Sequence, residues 1–409
     1  MNNILYGDGI HDDYPAIQEI IDSGVCEVSL PVPEKYYLIS KTLVLPSNFK
    51  FVLPRYAQIK LADGANCLMV RNRMVPDYKE RLPEDMNEMC RHFWYYVNEY
   101  SPDAICENIE ICGGIWDCNN RNQLPNPEQT KVLEPHGYTG EGMLFYAVRN
   151  LKLSSLTLKD PVYWGISFDR VSYFTVEDIT FDYNLGNPYA INMDGLHFNG
   201  NCHYGMIRNL KGACYDDMVA LNAHEGSRGP ITNIEIEGLF AERGHSAVRM
   251  LTVYDDVENI RISNVYGTYY QYCIGLTKYY PGETTGVFRG ITIDHVRASK
   301  ASRDGIYPWP NGYVYPFLFI QKDTKVKNIV ITDVYRKESL IPVETVHVGE
   351  NTDVDSMILE NILTENHTGQ SMPMLSNEGL IKRLSMRNIQ PDTDPLMVGQ
   401  GVITEWIKS

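Results

Sequence analysis

Residues 233–236 read Asn-Ile-Glu-Ile, residues 259–262 read Asn-Ile-Arg-Ile and residues 328–331 read Asn-Ile-Val-Ile. In most copies of this motif apolar and polar residues alternate, which is the period of a β-strand with one buried face. A short unit of this kind cannot bury its apolar face alone and must stack on neighbouring copies. Further copies recur along most of the chain and begin at Asn108, Asn150, Phe174, Gly290, Met357 and Leu384, with a looser one around Met206.

The repeat predicts an all-β fold, a single-stranded parallel β-helix forming one domain over residues 1–409, with its main coils in 104–395. The asparagine that opens many copies is expected at a corner, where its side chain tolerates turn dihedrals and bonds the backbone. Stacked corners of this kind are expected to form ladders. A β-sandwich or a propeller is disfavoured because Asn-Gly hairpin signals between paired strands are scarce.

The remaining segments are interpreted as a cap and two insertions. Residues 1–30 are predicted to be an N-terminal cap whose helix begins at Asp12 or Asp13 and buries Ile17, Ile20 and Ile21. Residues 77–100 are rich in charge and helix formers and are predicted to be a short helical insertion. Residues 304–316 are an aromatic, proline-rich loop of the kind that carries function in solenoids.

Composition limits the partners. Hydrophobic residues make up 44% of the chain and charged ones 22%, which indicates a globular protein. The net charge of −16 excludes a general nucleic-acid binder and counts against a densely anionic polymer. The nine cysteines lack CxxC spacing and are expected to be reduced and mostly buried. No signal peptide or membrane span is visible, so a cytoplasmic location is expected unless a leader was removed.

Carboxylates recur on successive coils between residues 160 and 280. Asp194 lies in Asn192-Met193-Asp194-Gly195, and the next copy carries Asp216-Asp217. His245 follows one copy later and Lys278 one copy after that. Because stacked coils lie about 4.8 Å apart, the three aspartates are predicted to form one acidic cluster, with His245 and Lys278 stacked further along. Mutual repulsion is expected to raise the pKa of at least one carboxyl, which suits glycosidic bond cleavage.

The order Asn-x-Asp-Gly, Asp-Asp-x-Val-Ala, Gly-His and Lys resembles glycoside hydrolase family 28, the polygalacturonases and rhamnogalacturonases. Gly7-Asp8-Gly9 and Gly113–Asp117 also resemble that superfamily of right-handed parallel β-helices. The resemblance implies an inverting hydrolase acting on a pectin-like saccharide without a metal or organic cofactor. It implies that Asp216 is the general acid, that Asp194 and Asp217 activate water, that His245 orients the acid and that Lys278 binds substrate.

The sequence also departs from that family. The family's Arg-x-Lys reads Leu276-Thr277-Lys278, so the arginine that grips a uronate carboxylate is replaced. Arg243 or Arg249 could take over its role, and a neutral or differently decorated sugar becomes possible. Tyr215 stands where the family has glycine, and Met193 where it has threonine. Further residues predicted to contact substrate are Asn192, Tyr215, Tyr279 and Trp309, the aromatic ones because such side chains stack on sugar faces.

Two other functions remain open. A polysaccharide lyase on the same fold would use the acidic residues to hold calcium and Lys278 or Arg249 as the base. A non-catalytic carbohydrate-binding β-helix would use the acidic cluster structurally, and an epimerase is more remote. The sequence does not determine the sugar, the linkage or the oligomeric state.

Overall fold

The computed structural model describes residues 4–73, 105–127, 138–306, 313–391 and 395–408. The predicted helical insertion at 77–100 lies outside these residues, as does Trp309. The chain divides into two compact units, one of Met1–Met206 with Glu225–Ser227 and one of Ile207–His224 with Arg228–Ser409. The single domain stays a prediction, and each unit is described by itself.

Within its described residues, the first unit contains helix α1 (Tyr14–Asp22), a short 3-10 helix (Asn120–Asn122) and fifteen complete strands. Strand β16 (His203–Ala213) includes the boundary at residue 206. The complete strands are β1 Glu27–Ser29, β2 Tyr37–Ile39, β3 Leu43–Leu45, β4 Phe49–Val52, β5 Gln58–Leu61, β6 Val70–Asn72, β7 Cys106–Cys112, β8 Ile115–Asp117, β9 Met143–Tyr146, β10 Val148–Ser154, β11 Thr157–Lys159, β12 Ile166–Asp169, β13 Ser172–Glu177, β14 Thr180–Asp182 and β15 Leu196–Phe198.

From β1 to β12, each strand of the first unit pairs in parallel with the strand three further along the chain. One ladder runs β1-β4-β7-β10-β13, a second β2-β5-β8-β11-β14 and a third β3-β6-β9-β12-β15. Three consecutive strands therefore make one coil, and the next coil repeats them one hydrogen-bonded step away. This is the topology of a parallel β-helix, because parallel neighbours cannot be joined by tight hairpins.

The second unit contains the strands from β17 onward. They are β17 Asp217–Asn222, β18 Ile231–Gly244, β19 Ser246–Leu251, β20 Val257–Tyr269, β21 Ile274–Thr277, β22 Phe288–Lys300, β23 Leu318–Ile320, β24 Lys325–Glu338, β25 Val346–Val348, β26 Asp353–Asn366, β27 Leu375–Asn377, β28 Leu380–Gln390, β29 Met397–Val398 and β30 Val402–Lys408.

In the second unit the long strands from β18 to β30 form one parallel ladder of even-numbered members. The short strands from β17 to β29 form a second ladder of odd-numbered members. The registers stack the motif residues in one buried column that runs Ile234, Ile260, Ile291, Ile329, Met357 and Leu384. Burying each such side chain stabilises the fold by about 1.5–3 kcal/mol, which explains why the motif recurs.

The asparagines that open the motif form ladders, as predicted. Asn48, Asn108 and Asn150 all have φ near +60° and sit at one corner of successive coils. The Asn108 amide donates to Asn48 Oδ1 at 2.6 Å, and the Asn150 amide donates to Asn108 Oδ1 at 2.7 Å. In the second unit Asn259 donates to Asn233 in the same way. Asparagine tolerates the left-handed conformation that this corner requires.

The N-terminal cap departs from the prediction in detail. The helix starts after Asp13, but the Asp13 carboxylate is buried and accepts bonds from the amides of Gly7 and Leu38 instead of capping the helix. Ile17 and Ile21 are buried, whereas Ile20 is 38% exposed. The prediction that Ile20 belongs to the apolar face is wrong, because the packed face of this two-turn helix is narrower than the sequence pattern indicated.

The described cysteines carry free thiols, and Cys106, Cys118, Cys202, Cys214 and Cys273 are buried. This confirms the reduced, mostly buried set for the part of the chain that the structure covers. Among the same residues no helix is long and apolar enough to cross a membrane.

Candidate active site

Asp216 and Asp217 lie at the start of the buried strand β17. The parallel register places Ser246, the first residue of β19, beside Asp217 and positions His245 directly before that strand. His245 Nδ1 is 3.2 Å from Asp216 Oδ1 and 3.5 Å from Asp217 Oδ1. These are ion-pair distances without hydrogen-bond geometry, since neither imidazole nitrogen has a hydrogen-bonding partner among the described residues. The predicted grouping of Asp216, Asp217 and His245 is therefore present in the second unit.

Asp217 is held as an ionised carboxylate. It is 1% exposed, and it accepts bonds from Arg249 Nε at 2.5 Å and from the Ser246 hydroxyl. Burial alone raises the pKa of Asp217, but the charges of Arg249 and His245 and the Ser246 hydrogen bond outweigh it and lower the pKa to about 2. The expected raised pKa is thus not found at Asp217, and for the other two aspartates it stays a prediction. Asp217 is suited to hold or activate water and unsuited to donate a proton.

Asp216 is the more accessible of the two carboxylates. Its side chain is 13% exposed, against 1% for that of Asp217. One buried carboxylate already neutralised by arginine therefore stands next to a second one that reaches the surface beside an imidazole. Carboxylates held in different environments titrate apart, which suits one of them to act as an acid and the other as a base.

An aromatic and cationic wall surrounds His245. The Tyr270 ring contacts the imidazole edge-on at 5.3 Å and the Tyr272 ring contacts it at 6.5 Å. The Tyr272 and Tyr279 hydroxyls are 3.1 Å apart, and the Arg249 guanidinium lies 5.8 Å from the Tyr279 ring. Arg249 thus bridges Asp217 to this wall. Two of the predicted substrate-binding residues, Arg249 and Tyr279, are brought together with the carboxylates.

The two other predicted cations lie elsewhere in the same unit. The Lys278 ammonium donates to the Gly282 carbonyl at 2.7 Å, and the exposed Arg243 donates to the Asp304 carbonyl at 2.5 Å. The register places Gln271 beside His245, and Lys278 follows Thr277, the β21 residue that pairs with Leu251. The stacking of Lys278 further along the coils stays a prediction. Substrate binding by Lys278 and Arg243 stays a prediction.

Asp194 lies in the first unit, in a buried carboxylate–imidazole chain. His197 Nδ1 is 2.6 Å from Asp194 Oδ2, and His197 Nε2 is 3.4 Å from Glu225 Oε2. The Trp164 ring stacks on the imidazole. All three ionisable residues are less than a tenth exposed. His197 therefore fixes the orientation of the Asp194 carboxylate. The clustering of Asp194 with Asp216 and Asp217 stays a prediction.

Sequence reasoning did not single out His197, Glu225 or Ser246 as partners of the aspartates. The sequence feature that could have indicated His197 as a partner of Asp194 is its position three residues further along the chain. Glu225 carries no local signal, because it belongs to the loop after β17. The predicted contact residues Asn192 and Tyr215 are half-buried and flank the two aspartate segments.

Asp216, Asp217 and His245 are also the described group with the geometry to hold a metal ion, since one ligand atom from each lies within 4.8 Å of the others. Calcium takes 6–8 oxygen ligands, and here one of the two carboxylates is already paired with Arg249. The arrangement therefore fits acid–base chemistry better than a calcium centre.

No protein-family model and no curated protein matches this sequence. Solved structures do match. The endo-xylogalacturonan hydrolase of Aspergillus tubingensis has a TM-score of 0.57 at 15% identity, with 97% of each chain covered. The Azotobacter vinelandii mannuronan C-5 epimerase AlgE4 A-module has 0.56 at 13%, covering 99% of this chain and 98% of that one. The hyperthermoactive exopolygalacturonase of Thermotoga maritima has 0.53 at 15%, covering 98% and 89%.

These similarities confirm the fold expected from the sequence motifs, a right-handed parallel β-helix of the polygalacturonase type. The identities show the fold alone, because this fold carries hydrolases and an epimerase alike. Function has to be argued from the site.

Proposed function

We propose that this protein is an inverting glycoside hydrolase that cleaves a pectin-like poly- or oligosaccharide. The observation that supports it is the pair formed by Asp216 and Asp217. Arg249 keeps Asp217 ionised in a buried position, while Asp216 reaches the surface beside His245. The similarity of the fold to polygalacturonases makes a carbohydrate substrate the natural choice.

In the proposed reaction Asp216 donates a proton to the glycosidic oxygen as the bond to the anomeric carbon breaks. Asp217 orients a water molecule and accepts its proton as the water oxygen bonds to that carbon from the opposite face, and the same role for Asp194 stays a prediction. The anomeric configuration inverts, Asp217 then releases its proton to solvent, and solvent reprotonates Asp216. His245 lies close enough to both carboxylates to hold the acid in place and to balance the changing charge.

The test is a digest of a glycan panel, with polygalacturonate, xylogalacturonan, rhamnogalacturonan and neutral pectic side chains, using wild type and Asp216→Asn. The wild type is expected to release reducing ends from at least one glycan, and Asp216→Asn to lose at least 100-fold in kcat because the proton donor is removed. Asp182→Asn, an exposed aspartate at the end of β14, is the matched control and is expected to keep full activity. Full activity in Asp216→Asn contradicts the acid assignment.

A polysaccharide lyase is the second candidate, because Asp216, Asp217 and His245 have metal-ligand spacing and the fold also hosts an epimerase that acts on a uronan. A lyase leaves an unsaturated sugar that absorbs ultraviolet light and needs calcium. The same digests, followed by ultraviolet absorbance with and without a chelator, separate the two reactions. Hydrolysis predicts reducing ends without new absorbance and no loss on chelation.

A further inference from the structure

A second cavity lies in the second unit, beyond the aspartate pair. It has a volume of about 330 Å³, within the range of small-molecule pockets. Its lining combines aromatic rings with charged side chains: Tyr313, Tyr315 and Phe319 with Lys322, Glu350 and Glu378. Aromatic faces combined with hydrogen-bonding groups are the surface that a sugar ring needs.

The aromatic side of the cavity is built edge to face. The Tyr313 and Tyr315 rings meet at 87° with centroids 4.6 Å apart, and the Tyr315 and Phe319 rings meet at 80° with centroids 5.5 Å apart. Phe319 is buried on β23, whereas Tyr313 is 50% exposed. An exposed ring braced by a second ring offers a fixed face for stacking, and its hydroxyl can bond at the rim.

The opposite side of the cavity carries negative charge. Glu350 and Glu378 are exposed lining residues that contribute two negative charges, and Lys322 contributes one positive charge. The backbone amide of Gln400 donates to Glu378 Oε2 at 3.2 Å and fixes that carboxylate. A sugar hydroxyl can donate to these oxygens, whereas a uronate would meet like charge. Repulsive groups of this kind give specificity against the charged ligand.

The cavity adjoins the aspartate pair through one side chain, Tyr272. Its ring lies 5.7 Å from Tyr315 and 5.7 Å from Phe319 on one side, and it contacts His245 on the other. Gln321, another lining residue, accepts bonds from the Lys278 and Tyr279 amides. Tyr272 and Gln321 therefore connect the residues around the cavity with those around the aspartate pair.

We propose that this cavity is a subsite for an uncharged glycosyl residue of the substrate and that it excludes uronates. The proposal rests on the proposed function only in requiring a saccharide ligand. It adds a second feature that disfavours a uronate to the replacement of the family's arginine in Leu276-Thr277-Lys278.

The test measures binding without turnover. Asp216→Asn protein is titrated calorimetrically with neutral oligosaccharides (galactan, arabinan and xylan fragments) and with oligogalacturonate. We expect at least one neutral series to bind and oligogalacturonate to bind at least tenfold more weakly. Adding Tyr313→Ala is expected to weaken neutral binding about fivefold to tenfold, as loss of an aromatic contact does. Tyr204→Ala, an equally exposed tyrosine of the first unit, is the control and is expected to leave binding unchanged.

The role of the negative charge of the cavity is tested by adding Glu350→Gln and Glu378→Gln together to the Asp216→Asn protein. This pair is expected to tighten oligogalacturonate binding at least threefold while neutral binding stays within twofold, because glutamine keeps the acceptor oxygens. The proposal is overturned if no saccharide binds, if Tyr313→Ala has no effect or if oligogalacturonate binds as tightly as the neutral series. The titration is independent of catalysis, so inactivity in the digest and failure here are separate results.

Discussion

Arg249 determines the ionisation of Asp217. The two charges are buried together, with Arg249 9% and Asp217 1% exposed. Removing one partner of such a pair costs far more than the pair contributes, since the other charge remains buried without compensation. In the proposed reaction the arginine would act by keeping the carboxylate charged, whether or not it touches substrate.

Arg249→Met is expected to lower the free energy of unfolding by about 3–5 kcal/mol at neutral pH, because it leaves the buried Asp217 carboxylate uncompensated. Adding Asp217→Asn to it is expected to recover part of that loss. Urea unfolding of the wild type, both single variants and the double variant measures the coupling. Losses that simply add contradict the pairing.

The Asp217 carboxylate also makes the free energy of unfolding depend on pH. Its native pKa of about 2 lies below the ordinary 3.8, so the folded state binds that proton less readily than the unfolded state. The contribution, about 2 kcal/mol, is present above roughly pH 4 and is lost as the pH falls towards 2. Urea midpoints between pH 5 and pH 2 are expected to show this loss in the wild type. Asp217→Asn is expected to lose less stability over this pH range, because it lacks the titrating carboxylate.

His197 is expected to be a positioning residue, because it joins Asp194 to Glu225 in a buried chain. His197→Gln is expected to reduce kcat about tenfold to hundredfold with KM within threefold, since small misplacements of a reacting group cost rates of this size. His203→Gln, a half-buried histidine of β16, is the control. Equal effects of both variants, or a change in KM alone, would remove His197 from this role.

At the scale of single elements, the corner asparagines and the buried column explain most of the coil geometry. Both could be predicted from the sequence, because a motif such as Asn233-Ile234-Glu235-Ile236 indicates the corner residue and the buried positions together. Parallel pairing then followed from repetition alone. Ile20 shows where this reasoning stops, since a helix pattern does not say how wide a face its neighbours will cover.

The neighbours of the site residues were harder to predict from the sequence. Asp216, Asp217 and His245 each lie in a recognisable local motif, so their grouping could be predicted from the sequence. The neighbour of His245 on the next coil depends on the length of the turn between β20 and β21, which brings Gln271 there. Glu225 pairs with His197 through a loop, and no periodic pattern describes a loop.

Asn108 tests the corner ladder. Asn108→Ala is expected to cost about 2 kcal/mol, because it loses the bonds to Asn48 and Asn150 and places alanine in the left-handed region. Asn108→Gly is expected to cost about half as much, because glycine adopts a φ of +57° without strain and loses only the bonds. Urea unfolding measures both. A glycine variant less stable than the alanine variant would contradict the conformational account.

At the scale of the whole molecule, the net charge of −16 sets the long-range field in which any substrate approaches. A polyanion is repelled by that field, and salt screens the repulsion, since the Debye length falls from about 30 Å at 0.01 M to about 8 Å at 0.15 M. Apparent affinity for oligogalacturonate is therefore expected to rise a few-fold over this range. Affinity for neutral oligosaccharides is expected to stay constant. Stronger uronate binding at low salt would show that a local cation cluster dominates.

The uniform parallel register of the second unit has a consequence for how such a groove changes length. Each strand from β18 to β28 pairs with its counterpart on the adjacent coil, so duplicating one coil after β24 preserves every existing partnership except at the insertion. Under the proposed function, such a duplication would lengthen the surface available to a polymer by one step of about 4.8 Å and leave Asp216 and Asp217 where they are. Chain length of the bound glycan and chemistry at the cleaved bond can thus evolve separately.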